Sequence, residues 1–206
     1  MTRRAVVTGG SGGIGSQVVK QLRDADWDVV SLSRREGCDV ADEAQVKRAF
    51  RDLRSLDALI HCAAVLIKKP LTDVTADDWD AQIGSNLRGA FLCSREAFRL
   101  MRERGGSIVF VSSLSGVAGA EKFPGMSAYV AAKSGLAGLT EALAVEGRPF
   151  QIRVNAISPG AVDTPMLRIA GVEGPALRPA DVARLIVWLA SSESAPLSGG
   201  NLRMDP

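Results

Sequence analysis

Short, almost wholly apolar runs alternate along the chain with longer stretches in which apolar residues return every three or four positions. Ala5-Val6-Val7, Ala58-Leu59-Ile60 and Ile108-Val109-Phe110-Val111 are such runs, and glycine, serine or small residues follow each of them. Unbroken apolarity over so short a span fits strands buried on both faces, as in a parallel sheet covered by helices. Helical spacing recurs in Ile14, Val18, Val19 and Leu22; in Val46, Phe50 and Leu53; in Leu136, Leu139 and Leu143; and in Val182, Leu185, Ile186 and Leu189. The pattern predicts strands at 3–8, 28–33, 57–62, 107–112, 150–157 and about 201–204. Between them it predicts helices through Ile14 to Leu22, from near Asp42, from Thr75 to about Glu103, through Tyr129 and Lys133 to about Val145, and from Pro179. Strand and helix in alternation predict an α/β fold.

Two stretches add detail. Only Glu36-Gly37-Cys38-Asp39-Val40-Ala41 separates the second strand from the helix near Asp42, a good N-cap residue. A parallel neighbour with its crossover helix needs about a dozen residues or more, so the second strand is expected at a sheet edge. Thr75-Ala76-Asp77-Asp78 reads as a capping box, and Asn86 lies inside the helix it opens, between Gly84 and Gly89. Asn is a mediocre helix former and the glycines weaken the helix locally. That predicts either a close-packing site or an irregularity that exposes backbone groups.

At 206 residues the chain suits one domain, 1–206, with a single sizeable core. Aromatics are sparse at 5% and glycines number 21, an α/β-like composition. The net charge is +2 and no charge run is long, so neither nucleic acid nor an anionic membrane is an expected partner. Arg3-Arg4 and Lys68-Lys69 read as solvated surface. Cys38, Cys62 and Cys93 are too few and scattered for a disulfide framework or a metal site, and fit free thiols in a reducing cytoplasm. No apolar stretch approaches the roughly 20 residues of a membrane span, and no leader-type segment opens the chain. A soluble, cytoplasmic protein is expected.

Gly10-x-Gly12-x-x-Gly15 stands where the first strand meets the first helix. Missing β-carbons there let the backbone approach a pyrophosphate at a helix N-terminus. The second strand ends in Ser33-Arg34-Arg35, where an acid would serve the ribose hydroxyls of NAD and an arginine accommodates a 2′-phosphate. NADP(H) is therefore favoured, with NAD(H) as the alternative. The lone histidine, His61, ends the third strand without a nucleophile and acid to make a triad. A hydrogen-bonded structural or cofactor-lining role is expected for it. The lone tyrosine, Tyr129, has Lys133 one turn along the same helix face. A nearby cation favours the phenolate and lowers a pKa that starts near ~10, which makes Tyr129 a candidate general acid or base. Six lysines in 206 residues produce that spacing by chance at about 3% per position, so the pair needs a cofactor site and a third partner.

Thr8-Gly9-x-x-x-Gly13-Ile14-Gly15, Asn86, the Ser112-Ser113 strand end, Tyr129-x-x-x-Lys133, Asn155, and Pro159-Gly160 with Thr164 supply them. In order and spacing they resemble the classical short-chain dehydrogenase/reductase family over nearly the whole chain. The resemblance implies a doubly wound (Rossmann-like), mostly parallel sheet of about six strands. It implies NAD(P)-dependent interconversion of a ketone or aldehyde and an alcohol, with Tyr129 as proton donor and Ser113 on the same oxygen. Lys133 would bind the nicotinamide ribose and depress the tyrosine pKa, and Asn86 would hold a relay water. The implied cofactor site runs from Gly9, Ser11, Gly12, Gly13, Ile14 and Gly15 through Ser33, Arg34, Asp39 and Val40. It continues past Cys62, Ala63 and Ala64 to Tyr129, Lys133, Pro159, Gly160, Val162 and Thr164. The implied partners are a small carbonyl or alcohol substrate and further copies of the chain, as a homodimer or homotetramer formed through the two long central helices.

The chain also departs from the family. His61-Cys62-Ala63-Ala64 stands where Asn-Asn-Ala-Gly is usual, the outer strand and helix after the second strand have no room, and the common Asp-Gly-Gly is missing near the C-terminus. Glu121-Lys122-Phe123-Pro124 are extra. Only about a dozen irregular residues remain after Thr164 for a substrate lid. So short a lid predicts an open pocket, for a bulky or carrier-linked substrate or one closed by a partner subunit. The same truncations motivate a second reading, a catalytically silent cofactor-sensing or scaffold module.

Overall fold

Neighbouring residues of each central strand face opposite ways, and both ways are apolar. In β1 (Arg4–Thr8), Val6 faces one helical layer while Ala5 and Val7 face the other. Leu59 opposes Ala58 and Ile60 in β3 (Ala58–His61), and Ile108 and Phe110 oppose Val109 and Val111 in β4 (Gly106–Val111). The period-two geometry of a strand thus turns the apolar runs into a sheet with a core on each side. One core is closed by α2 (Glu43–Phe50), α4 (Gly89–Met101) and α5 (Ser127–Gly147), through Val46, Phe50, Leu92, Met101 and Leu136. The other is closed by α1 (Gly13–Asp24) and α7 (Pro179–Ala190), through Val18, Leu22, Val182, Ile186 and Leu189. The structure, a computed structural model, describes residues 2–205.

The six strands run in the order β2-β1-β3-β4-β5-β6, where β2 is Asp28–Leu32, β5 Ile152–Pro159 and β6 Asn201–Met204. All five pairings are parallel, so the sheet is wholly rather than mostly parallel. Strand β2 lies at an edge, as its short exit predicts. The chain leaves it through one 3₁₀ turn at Arg34–Glu36 and enters α2, where the Asp42 carboxylate accepts from the Ala44 and Gln45 amides. It then crosses back to lay β3 on the far side of β1. That reversal creates a switch point between β1 and β3, the place where ligands bind in open α/β sheets. Among the described residues no helix is long and apolar enough to cross a membrane.

Three segments differ from expectation. The helix opened by Thr75 is not continuous: α3 (Ala76–Ile83) passes into α4 through a π-turn at Gly84–Arg88. Its capping box forms, with Thr75 and Asp78 each accepting the other's backbone amide. A β-carbon on Gly89 would stand 2.8 Å from Val40 Cγ2. Both close packing and irregularity are therefore present at this bulge, the kind of insertion that recurs at functional sites. The fifth strand starts at Ile152 rather than Phe150, because Gln151 adopts a left-handed conformation, φ 57°, after a 3₁₀ turn. The segment expected to be irregular holds a short helix, α6 (Pro165–Ala170). Pro165 opens it and Gly171, φ 59°, closes it.

Candidate active site

The chain leaves β1 and turns at Gly9, φ 66°, where a β-carbon would lie 2.7 Å from the Ala63 nitrogen. Only glycine allows both that conformation and that approach. A β-carbon on Gly13 would lie 2.5 Å from Thr164 Cγ2, so the loops after β1, β3 and β5 converge. Helix α1 starts at Gly13 with Gly12 as N-cap. No side chain caps it and no acid stands in its first turn. Its amides and the positive end of its dipole thus favour an anion.

A cleft of about 870 Å³ runs along the carboxyl ends of β1 to β5. The nineteen positions named above for the cofactor, from Gly9 to Thr164, all line it, and so does Ser113. Asn86 does not, although its neighbour Ser85 does. Arg34 and Arg35 line one end. An acid close by in sequence, Glu36, folds back, and its carboxylate accepts from Ser31 Oγ at 3.0 Å and Ser33 Oγ at 2.5 Å. Those bonds occupy it outside the lining. An uncapped helix start between a pair of arginines and a buried phenol fits a nicotinamide dinucleotide.

At the opposite end α5 sits tightly over the end of β4, since a β-carbon on Gly116 would lie 2.6 Å from the Lys133 carbonyl carbon. Ser112 Oγ donates to Lys133 O at 2.9 Å and Ser134 Oγ to Gly116 O at 3.0 Å. Held in this way, Lys133 Nζ donates to Val111 O at 2.8 Å and lies 5.4 Å from the centre of the Tyr129 ring. Burial holds the Lys133 ammonium down to about 8. Burial also pushes the Tyr129 phenol up to about 12, with the Ser113 hydroxyl drawing it partly back. The expected lowering of the tyrosine pKa by Lys133 is thus overturned, because the ammonium bonds a strand carbonyl and desolvation of the phenolate dominates. At neutral pH the phenol keeps its proton, the state a donor requires. The directed bond of Ser113 Oγ is the one it accepts from the Ser115 amide at 3.2 Å, which caps the turn Leu114–Gly116. Asn86 Nδ2 donates to Val65 O at 2.8 Å and Gln82 O at 2.7 Å, while its Oδ1 is buried without a protein partner.

His61 lies under this floor, fully buried, and takes the structural alternative rather than lining the cleft. Its Nε2 is 3.2 Å from Ser85 O and its Nδ1 2.9 Å from Thr8 Oγ1. A carbonyl only accepts, so Nε2 carries the proton and Nδ1 accepts from the Thr8 hydroxyl. The ring ties β1 and β3 to the π-turn that carries Asn86. Burial, helped by the Lys133 charge, pushes His61 down to about 3. As pH falls below the ordinary 6.5, the unfolded chain gains a proton that the folded one refuses, so stability drops towards about pH 3 by several kcal/mol. Thermal melts should show that acid slope in wild type and lose this part of it in His61→Asn.

The enoyl-(acyl carrier protein) reductase family model matches residues 31–206. A short-chain dehydrogenase/reductase of Armillaria gallica is 31% identical over 249 aligned residues, covering 98% of this chain and 94% of that protein. The chain belongs to the short-chain dehydrogenase/reductase family. Carbonyl reductase 2 (NADPH) of Sus scrofa is 32% identical over 240 residues, covering 98% of this chain and 94% of that one. Both alignments are longer than the chain's 206 residues, so these relatives carry segments absent here. Among solved structures, ElxO with NADP bound superimposes with a TM-score of 0.88 at 27% identity, covering 100% of this chain and 98% of that one. A tyrosine-to-phenylalanine variant of ElxO, with NADPH bound, superimposes equally well. This short-chain dehydrogenase/reductase is an NAD(P)-dependent oxidoreductase.

Proposed function

We propose that the protein interconverts a ketone or aldehyde and the matching alcohol, with NADP(H) preferred over NAD(H). The observation that carries this is the convergence of Tyr129, Ser113 and Lys133 at one end of a cleft whose other parts are the glycine loop and Arg34. The bound nicotinamide supplies or accepts the hydride. In reduction, the protonated Tyr129 hydroxyl gives its proton to the carbonyl oxygen as charge develops there, and Ser113 donates a hydrogen bond to the same oxygen. Lys133 holds the nicotinamide ribose. Asn86, with its unpartnered Oδ1, holds the water through which the tyrosine is reprotonated. NADPH oxidation driven by ketones or aldehydes tests this reading. No turnover in either direction across a broad panel would overturn it in favour of the silent binding module.

The cofactor preference rests on Arg34, which lines the cleft where the cofactor's adenosine end would lie while Glu36 is held by two serines. A guanidinium recognises phosphate by charge-assisted bonds. Arg34→Ala should weaken NADPH binding by about tenfold or more and leave NADH binding nearly unchanged. Equal losses for the two cofactors would remove the preference. On the same reading the 206 residues act as one domain, in the cytoplasm, as a homodimer or homotetramer. Exposed Phe91 on α4 and Val145 on α5 support such pairing, and a monomer in sedimentation would remove it.

A further inference from the structure

The proton-donating end of the cleft has a mainly apolar wall. Leu66 comes from the loop after β3, Phe123 and Met126 from the segment before α5, and Met166, Ile169 and Val172 from α6 and its exit. Helix α6 is placed so that Met166, Leu167, Ile169 and Ala170 line the cleft while Arg168 does not. Met166 Sδ stands 4.0 Å from the Tyr129 hydroxyl, so the apolar wall reaches the reacting group itself. The charged residues lining this end, apart from buried Lys133, are acids: Glu121 and Glu173, both exposed at the rim. Neither Lys68 nor Lys122 lines the cleft, and the ammonium group of each donates to backbone carbonyls. Lys68 Nζ donates to Ala170 O at 2.5 Å, and Lys122 Nζ donates to Val117 O at 2.7 Å and Ala120 O at 2.8 Å.

We propose that the substrate is a neutral, largely apolar ketone or secondary alcohol, and that substrates carrying a carboxylate beside the carbonyl-bearing skeleton are selected against. The inference rests on the carbonyl reductase reading above and narrows it. Reduction forms a C–H bond from the hydride, sends the carbonyl π pair to oxygen, and forms an O–H bond with the Tyr129 proton. A neutral ketone thus becomes a neutral alcohol with no charge left on the product, while Tyr129, having given up its proton, is a phenolate until it is reprotonated. A carboxylate would have to shed its water against Leu66, Met126 and Met166, and the cation lining this end, Lys133, already donates to Val111 O, so the desolvation penalty is heavy. It would also pass two like charges at the rim.

Matched probes that differ by one charge test this with the wild-type protein and NADPH: methyl 4-acetylbenzoate against 4-acetylbenzoate, and methyl 5-oxohexanoate against 5-oxohexanoate. The ester of each pair should exceed its free acid in kcat/KM by about tenfold or more. Equal values, or a preference for the acids, would overturn the proposal and leave the reductase reading intact. Turnover of other ketones but of neither ester would also overturn it. Failure of every carbonyl compound, esters included, would instead remove the reductase reading and this inference with it.

Discussion

Tyr129→Phe should lower kcat for carbonyl reduction by about 10²–10⁴, the range that a positioned general acid contributes, while NADPH binding stays close to wild type. The substitution deletes one oxygen and keeps the ring that packs with Leu66, Met126 and Ala170. That oxygen has weak protein partners, a thioether at 4.0 Å and the influence of Ser113, so its removal leaves no strong acceptor or donor unpaired. The melting temperature should therefore hold or rise slightly, which separates a catalytic loss from a folding loss. The pH dependence gives a second reading. With burial holding the phenol up at about 12, the acid form that reduction needs is present throughout the neutral range. Alcohol oxidation needs the phenolate and should climb with pH over the same interval. NADPH consumption under saturating ketone, with cofactor titration by fluorescence, measures both. Turnover within threefold of wild type would show that the proton comes from elsewhere.

What was legible in the chain and what was not divides along physical lines. Ile108-Val109-Phe110-Val111 could be read as a strand because four consecutive apolar residues need two faces buried. The edge position of β2 followed from the short connection alone, since the six residues from Glu36 to Ala41 cannot make a crossover. The places of Gly9, Ser113, Tyr129 and Lys133 were legible because each sits at the end of a strand or one helical turn from a marker. At Asn86 the poor helix former and its flanking glycines left close packing and irregularity as alternatives; the structure has both, a π-turn and a Gly89 set close against Val40, and that contact joins segments distant in sequence. Helix α6 had both its proline and its glycine signals, but six residues are too few to show a period. The apolar wall built by Phe123, Met166 and Val172 was hidden for the same reason, because loops carry no periodicity. Spacing placed Lys133 near Tyr129 but could say neither where Nζ points nor how dry the site is. Those two properties reversed the expected direction of the tyrosine pKa.

The dryness of that site has a consequence for stability that can be measured at Lys133. The residue is 2% exposed, and its ammonium donates a hydrogen bond to Val111 O. A fall from 10.5 to about 8 corresponds to about 3 kcal/mol of penalty for carrying the charge in the folded protein at neutral pH. Below about 8 both the folded and the unfolded chain hold the proton, so the penalty is fully present. Between about 8 and 10.5 the folded chain releases its proton first, and the penalty fades as pH rises. Lys133→Met keeps a flexible apolar stem in the same space and removes the charge, at the expense of a hydrogen bond of about 1 kcal/mol. The cofactor-free variant should therefore melt several degrees higher than wild type near pH 7, given about 2–4 °C per kcal/mol for a chain of this size. That gain should shrink towards about pH 10. The same variant should lose turnover by about a hundredfold or more, because the group that holds the ribose beside Tyr129 is gone. A buried, costly charge that is kept at the centre of a cleft marks stability exchanged for function. A melting temperature unchanged or lowered at pH 7, or a gain that does not diminish as pH rises, would show that the Lys133 ammonium is better solvated than its burial implies.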